Sequence, residues 1–188
     1  MAKLIGYQGM EGSNSLAAAE DMAAVLGWTD VEYVPLLTSR GVVDAMLAGQ
    51  VEYGVMATVN SVAGPVVETD EALDGVSYRV LAGNSVHIHH CLFVRDPSVT
   101  EIDTVASHIQ ALGQCATHLN AHYAHAKWQE LEDTAIGARY LSEGVLPPTT
   151  GVLCRRNAGE AYGLHLMEEN LEDNENNYTS FALITLVK

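Results

Sequence analysis

Residues 3–27 read KLIGYQGMEGSNSLAAAEDMAAVLG, and this stretch decides the fold. Its first part, KLIGYQG, is short and apolar and reads as a strand ending at Gly9. SNSLAAAEDMAAVLG then starts near Ser13, is rich in alanine and is closed by Gly27. Alanine is the best intrinsic helix former, serine caps the unpaired N–H groups of a first turn, and glycine takes the left-handed conformation that ends a helix. The stretch is therefore a strand, a loop and a helix. Further along, VEYVPL is a short strand, and SRGVVDAMLAGQ carries Val42, Val43, Met46 and Leu47 at helical spacing with Ser39 as the N-cap. YGVMAT, residues 53–58, is a buried strand running into the loop NSVAGPV. Strands alternating with helices predict an α/β fold with a largely parallel sheet.

From about Tyr78 the alternation restarts. YRVLAGNSVHIHHCLFVRD holds two strand-like runs, and VASHIQALGQCATHLNAHYAHAKWQEL reads as a loop followed by a helix. DTAIGARYLSEG is a further helix ending at Gly144, and Pro147 and Pro148 force an extended break. GVLCRRNAGEAYGL is a strand and then a helix start, and FALITLV is a terminal strand. No repeat or Ser/Pro-rich linker divides the chain, so two α/β lobes with crossovers between them fit better than two independent domains.

The chain has 188 residues, 48% of them hydrophobic, enough for one substantial core or two small lobes. Apolar runs such as FALITLV fall far short of the ~20 residues a membrane span needs, and the first residues lack a basic-then-apolar signal pattern. A cytoplasmic protein without membrane partners is expected. Cys91, Cys115 and Cys154 form no CxxC pair, and their odd number argues for reduced thiols rather than a disulfide framework or zinc ribbon. A net charge of −15 with nine Lys and Arg argues against nucleic acid as a partner. An anionic ligand would have to be held by a few local donors, helix N-termini foremost, against the field of the chain.

Each motif has a plain reading beside its functional one. In GMEGSNS, residues 9–15, glycines let the backbone approach a ligand and the Ser13 and Asn14 amides could hold an anion; the plainer reading is a turn capped by Ser13. In TVNSVAG, Asn60 and Ser61 follow a strand, and Asn60 offers a donor and an acceptor without charge, though such a segment is more often a turn. SHIQALGQC places Ser107, Gln110 and Gln114 near one face around a helix start. Cys115 beside it could be a thiolate with His108 as its basic neighbour, but a buried, inert cysteine is the better reading. His87, His89 and His90 fall on a strand, and His118, His122 and His125 recur on one helix face at a spacing that could ligate a metal. No HExxH accompanies them, so surface histidines are preferred. DTAIGAR supplies Thr134 and Arg139, the arginine a candidate anion clamp but more often part of a surface or interlobe pair.

Taken in order, YQGMEGSNS, VEYGVMATVNSVAG, HCLFV, SHIQALGQC, DTAIGARYL and AYGLHLMEENLEDNENNYTSF resemble the successive signature segments of the prephenate dehydratase domain, from about Tyr7 to Phe181. The resemblance implies two α/β lobes around a cleft, similar to a type 2 periplasmic binding protein, with the C-terminal strand returning to the first lobe. Lobe 1 would be residues 1–76 plus 170–188, and lobe 2 residues 77–169. It further implies conversion of prephenate, a small anion, to phenylpyruvate with loss of carbon dioxide and water, no metal or organic cofactor, and assembly as a homodimer or homotetramer. The catalytic residues carried over are Asn60, Ser107, Gln114 and Thr179. Gly12, Ser13, Ser61, His108, Gln110, Ser180 and Phe181 are expected to bind substrate. Prephenate gains aromaticity on reacting, so neutral donors that orient it and assist departure of the 4-hydroxyl suffice. Thr179 would donate to that hydroxyl while Asn60, Ser107 and Gln114 orient the substrate and relay the proton.

Three positions depart from the family pattern. Ser180 stands where the family has arginine, Val59 where it has glutamate, and Ile109 where it has proline. They bear on the substrate, which leaves a non-aromatising prephenate decarboxylase, a dehydratase of a related cyclohexadienyl acid, or a non-catalytic small-anion binding module as alternatives. Seven residues follow Phe181, so the family's regulatory ACT domain and its phenylalanine feedback are not expected from this chain.

Overall fold

The computed structural model describes residues 2–187, which form two compact units. The first unit runs through His87 and takes the chain back at Asn177; the second is Ile88–Asn176.

The first unit contains Lys3–Tyr7 (β1), Asn14–Val25 (α1), Val31–Pro35 (β2), Ser39–Leu47 (α2), Tyr53–Asn60 (β3), Gly64–Pro65 (β4), Val67–Leu73 (α3) and Tyr78–His87 (β5). The second contains Cys91–Val94 (β6), Thr104–Ser107 (β7), Ile109–Gln114 (α4), Ala116–His122 (α5), Lys127–Glu130 (β8), Thr134–Ser142 (α6), Thr150–Cys154 (β9), Arg156–Ala161 (α7) and His165–Glu168 (β10). Tyr178–Leu186 (β11) then returns to the first unit.

The sheet of the first unit runs β2-β1-β3-β11-β5, with β4 paired to β3. Here β1 is parallel to β2 and β3, whereas β11 is antiparallel to both β3 and β5. The sheet is therefore mixed, not largely parallel: βα crossovers keep β1, β2 and β3 parallel, and the strand returning from the second unit enters the other way. Strand alternation sends Val55 and Leu183 to one face and Met56 and Ile184 to the other. On the first face they meet Ala18, Ala19, Met22 and Ala23 of α1, and on the second Val42, Val43 and Met46 of α2 with Ala72 of α3. Gly54 makes the second contact possible. A Cβ there would lie 2.6 Å from Met46 Sδ and 2.7 Å from Val42 Cγ1.

Ser13 caps α1 as expected, accepting from the Leu16 N–H. The cap of α2 is Thr38, which accepts from the Gly41 N–H, and Ser39 is instead the buried first residue of the helix, its Oγ 2.8 Å from Thr69 Oγ1 on α3. α3 went unassigned in the sequence, β4 lies within the segment NSVAGPV read as a loop, and β3 runs to Asn60 rather than ending in that loop at residue 58. β5 lies along β11 from Tyr78↔Leu186 to His87↔Tyr178, which places the first crossing between units after His87 and not near residue 77.

In the second unit the sheet runs β10-β6-β9-β7-β8, with β7 parallel to β8 and β9, and β6 antiparallel to β9 and β10. Its core gathers Leu92, Val94, Val105, Leu112, Leu119 and Leu153. The expected loop and long helix after residue 104 are instead the buried strand β7, two short helices meeting at Cys115, and the strand β8. No helix among the described residues is long and apolar enough to cross a membrane.

Candidate active site

One group of candidate residues lies where β3 ends. Thr179 pairs with Asn60 and Ser180 with Val59, but Phe181 pairs with Ala57, so Thr58 is left over as a β-bulge. Its hydroxyl donates to the Ser180 carbonyl at 3.1 Å, and its own carbonyl accepts from the Val66 N–H. Past the bulge, Asn60 is 7% exposed. Its Oδ1 accepts from the N–H groups of Val62 and Ala63, at 2.9 and 2.8 Å, which closes the β3–β4 turn. Its amide NH2 faces Asn177 Oδ1 and Thr179 Oγ1, each at 2.9 Å, and the Tyr178 carbonyl at 3.3 Å. Because Thr179 Oγ1 accepts there, its hydroxyl proton is left to be given elsewhere. Ser61 holds the same corner, its N–H donating to the Tyr178 carbonyl and its Oγ accepting from the Tyr178 N–H, both at 2.8 Å.

Other expected residues of this unit sit apart from that corner. Ser180 alternates to the opposite sheet face from Thr179, where its Oγ lies 2.9 Å from Ser85 Oγ. Phe181 is buried in the core beneath α1, so it anchors β11 rather than meeting a ligand. Gly12 has φ 80°, which fits the turn before α1. The Ser13 N–H, expected to hold an anion, donates within that turn to the Met10 carbonyl at 3.0 Å.

Ser107, His108, Gln110 and Gln114 belong to the second unit. Ser107 is fully buried, and its hydroxyl donates to the Leu153 carbonyl at 2.7 Å, tying β7 to β9. Its proton is spent on the sheet. His108 caps α4, Nδ1 accepting from the N–H of the exposed Gln110 at 3.3 Å. At the other end of α4, Gln114 Oε1 lies 2.8 Å from His90 Nε2. The His90 N–H donates to Glu172 Oε2 at 2.9 Å, and Glu172 Oε1 lies 2.7 Å from His89 Nδ1. Burial holds the His90 imidazole below its ordinary pKa, against the opposing pull of Gln114 and Glu172. Burial alone would raise the Glu172 carboxyl, but the His90 N–H, its own N–H and the His89 ring hold it below the usual carboxylate range.

The remaining candidates resolve as structure. Cys115 is fully buried, and burial, with Glu172 and Asp173 nearby, pushes its thiol far up, so no thiolate nucleophile stands there. The α5 helix ends at His122, which leaves His125 outside it, and His118 lies 2.8 Å from Glu168. Among the described residues no cluster of three His, Cys, Asp or Glu side chains could hold a metal ion. Asp133 caps α6, of which Thr134 is the first residue, and Arg139 sits 3.9 Å from Glu143 at the helix C-cap. Sequence reading missed the partnership of His90 and Glu172. His89 and His90 lie between β5 and β6, not on a strand, and a carboxylate 82 residues away leaves no local signature.

Two units, each a mixed sheet with helices, define a mixed α/β protein. A periplasmic substrate-binding protein of an ABC transporter from Coxiella burnetii shares the fold at TM-score 0.52 and 12% identity, over 98% of this chain and 84% of that one. The profile of the prephenate dehydratase family matches residues 5–188, and the chain belongs to that family. The prephenate dehydratase of Methanocaldococcus jannaschii is 35% identical over 132 residues, 70% of this chain and 47% of that protein. The crystal structure of prephenate dehydratase from Arthrobacter aurescens in complex with L-Phe superposes at TM-score 0.83 with 24% identity, over 98% of this chain and 60% of that one. The chain spans about half the length of the curated relatives it matches first, 47% in each case.

Proposed function

We propose that this chain is a prephenate dehydratase-type lyase, decarboxylating and dehydrating prephenate to phenylpyruvate for phenylalanine biosynthesis. The observation that carries it is the Asn60–Thr179 hydrogen bond at 2.9 Å. The bond to the ring carboxylate breaks, its electron pair enters the ring, and the 4-hydroxyl leaves with the C–O pair. Thr179 gives that leaving group its proton, producing water, and regains one from solvent. The Asn60 N–H stabilises the negative charge that builds on Thr179 Oγ1, which makes a weak acid more effective without a neighbouring base. Gln114 supplies an uncharged contact that orients the substrate. Ser107 serves by fixing β7, which leads into α4, against β9. The same reading carries a small anionic substrate, no metal or organic cofactor, and a cytoplasmic homodimer or homotetramer.

Incubation with prephenate at neutral pH, followed by NMR, should yield phenylpyruvate and carbon dioxide in equal amounts. Thr179→Val, which keeps the shape and removes the hydroxyl, should lower kcat by about 10²–10⁴-fold with an unchanged circular dichroism spectrum. A fully active Thr179→Val enzyme would sink the role of this hydroxyl. One observation favours a second reading, a dehydratase of a related cyclohexadienyl acid or a non-aromatising decarboxylase: the family's arginine position holds Ser180, bonded to Ser85. A non-aromatic decarboxylated product from prephenate, or turnover of a related cyclohexadienyl acid with none of prephenate, would shift the assignment to the second reading.

A further inference from the structure

We propose that Asn177 is a positioning residue that aims the Asn60 amide at Thr179. The proposal rests on the reading above, in which Thr179 gives the leaving group its proton and an Asn60 N–H stabilises the charge that builds on Oγ1.

The direction of each hydrogen bond in this corner follows from two groups that cannot reverse. The main-chain N–H groups of Val62 and Ala63 donate to one end of the Asn60 side chain, at 2.9 and 2.8 Å, so that end is the carbonyl oxygen. The other end is therefore the NH2, which only donates. It lies 2.9 Å from the end of the Asn177 side chain. Two NH2 groups repel at that distance, so Asn177 presents its oxygen. Main-chain polarity thus fixes which way both asparagine amides point.

An NH2 group has two protons, and here three acceptors surround it. Asn177 Oδ1 and Thr179 Oγ1 each lie at 2.9 Å. The Tyr178 carbonyl is farther, at 3.3 Å, and already accepts from the Ser61 N–H at 2.8 Å. The two short contacts therefore take one proton each. With its oxygen held by the β3–β4 turn and one N–H held by Asn177, the Asn60 amide plane is fixed, and its second N–H points at Thr179. Asn177 is 1% exposed, which leaves it no face for a substrate, so it acts through Asn60. Removing its oxygen strands a buried N–H, and the readiest relief is for the amide to swing toward the Tyr178 carbonyl and away from Thr179.

The test is a double-mutant cycle on prephenate turnover with Asn177→Ala, Thr179→Val and the two combined. Asn177→Ala should lower kcat about 10-fold or more with KM within about 3-fold of wild type, and should lower kcat by less than about 3-fold when Thr179 is already valine. Equal losses in both backgrounds would overturn the proposal, because a merely structural asparagine costs the same whether or not the hydroxyl is there. A second readout needs neither turnover nor a folded variant. In ¹⁵N NMR of the wild-type protein, both Asn60 side-chain amide protons should exchange with solvent more slowly than those of exposed asparagines. Exchange of either proton at the exposed rate would overturn the proposal, as would Asn60 amide resonances that stay unmoved in Asn177→Ala. Absence of prephenate turnover by the wild-type protein would remove the reaction and with it the positioning role, while the amide protons would still decide whether Asn177 holds Asn60.

Discussion

Replacing Asn60 by aspartate keeps the shape of the residue and reverses the sense of the hydrogen bonds on one of its sides. The retained oxygen still accepts from Val62 and Ala63. The new one faces the oxygens of Asn177, Thr179 and Tyr178 at 2.9, 2.9 and 3.3 Å. Two donated hydrogen bonds are lost at about 1 kcal/mol each, and an uncompensated approach of carboxylate to carbonyl adds up to about 2 kcal/mol more. A loss of roughly 2–4 kcal/mol in a chain of this size lowers Tm by about 4–16 °C. Thr179 can relieve the clash only by turning its own proton toward the new carboxylate, which on the proposed mechanism withdraws it from the leaving hydroxyl, so kcat should fall about 10²–10⁴-fold. The pH dependence has a definite sign. Acceptors around the new carboxyl raise its folded pKa above the unfolded value of about 3.9, so the deficit is complete above the folded pKa and shrinks as pH falls toward 4. Melting curves at pH 7 and 4.5 together with turnover at pH 7 would settle the matter. A variant with wild-type Tm and kcat at pH 7, or a deficit that persists undiminished at low pH, would refute the hydrogen-bond directions assigned to Asn60.

Gly54→Ala should cost about 1–3 kcal/mol by driving a methyl group into Met46 and Val42, and an unchanged Tm would show that α2 sits less tightly on the sheet than described. Glu172 has a depressed folded pKa, so its stabilisation is present above its unfolded pKa of about 4.3 and is lost as pH falls through the folded value. Denaturant unfolding between pH 7 and 3 should therefore show a shallower acid limb in Glu172→Gln, and identical limbs would remove that contribution. Burial raises the thiols of Cys91, Cys115 and Cys154, so a disulfide-exchange reagent at pH 8 should label native protein slowly and all three sites after denaturation. Fast native labelling of Cys115 would reopen its case as a nucleophile.

Local signals carried the first half of the fold. The alanine-rich run, Ser13 and Gly27 announce α1 because propensity, cap and stop act within a few residues of one another. Strands β7 and β8 were lost for the opposite reason. Thr104–Ser107 is short, and its neighbours β8 and β9 are supplied by distant segments, so its strand character is set by pairing rather than by periodicity. Of the candidate site, Asn60, Ser61 and Thr179 were named in the sequence, yet only the β-bulge and antiparallel register show them sharing one corner. Ser180 and Phe181, adjacent to Thr179, were grouped with it by proximity in the chain. Strand alternation sends Ser180 to the other face, and Phe181 belongs to the core.

The central place of β11 has a consequence for the order in which the protein is assembled. Until residues 178–186 emerge, β3 and β5 have no strand between them, and the first sheet is left as two separate pieces. The strands of the second unit pair only with one another and come from one uninterrupted stretch of chain. During synthesis that stretch is complete while its predecessor still waits for a missing member, and the wait ends with contacts spanning 119 residues, the slowest kind to form. The hydrogen bond that leaves Thr179 with a proton to give is one of those contacts. If Thr179 has the role proposed above, a nascent or partly unravelled molecule lacks the armed hydroxyl altogether, and activity becomes a readout of completed folding.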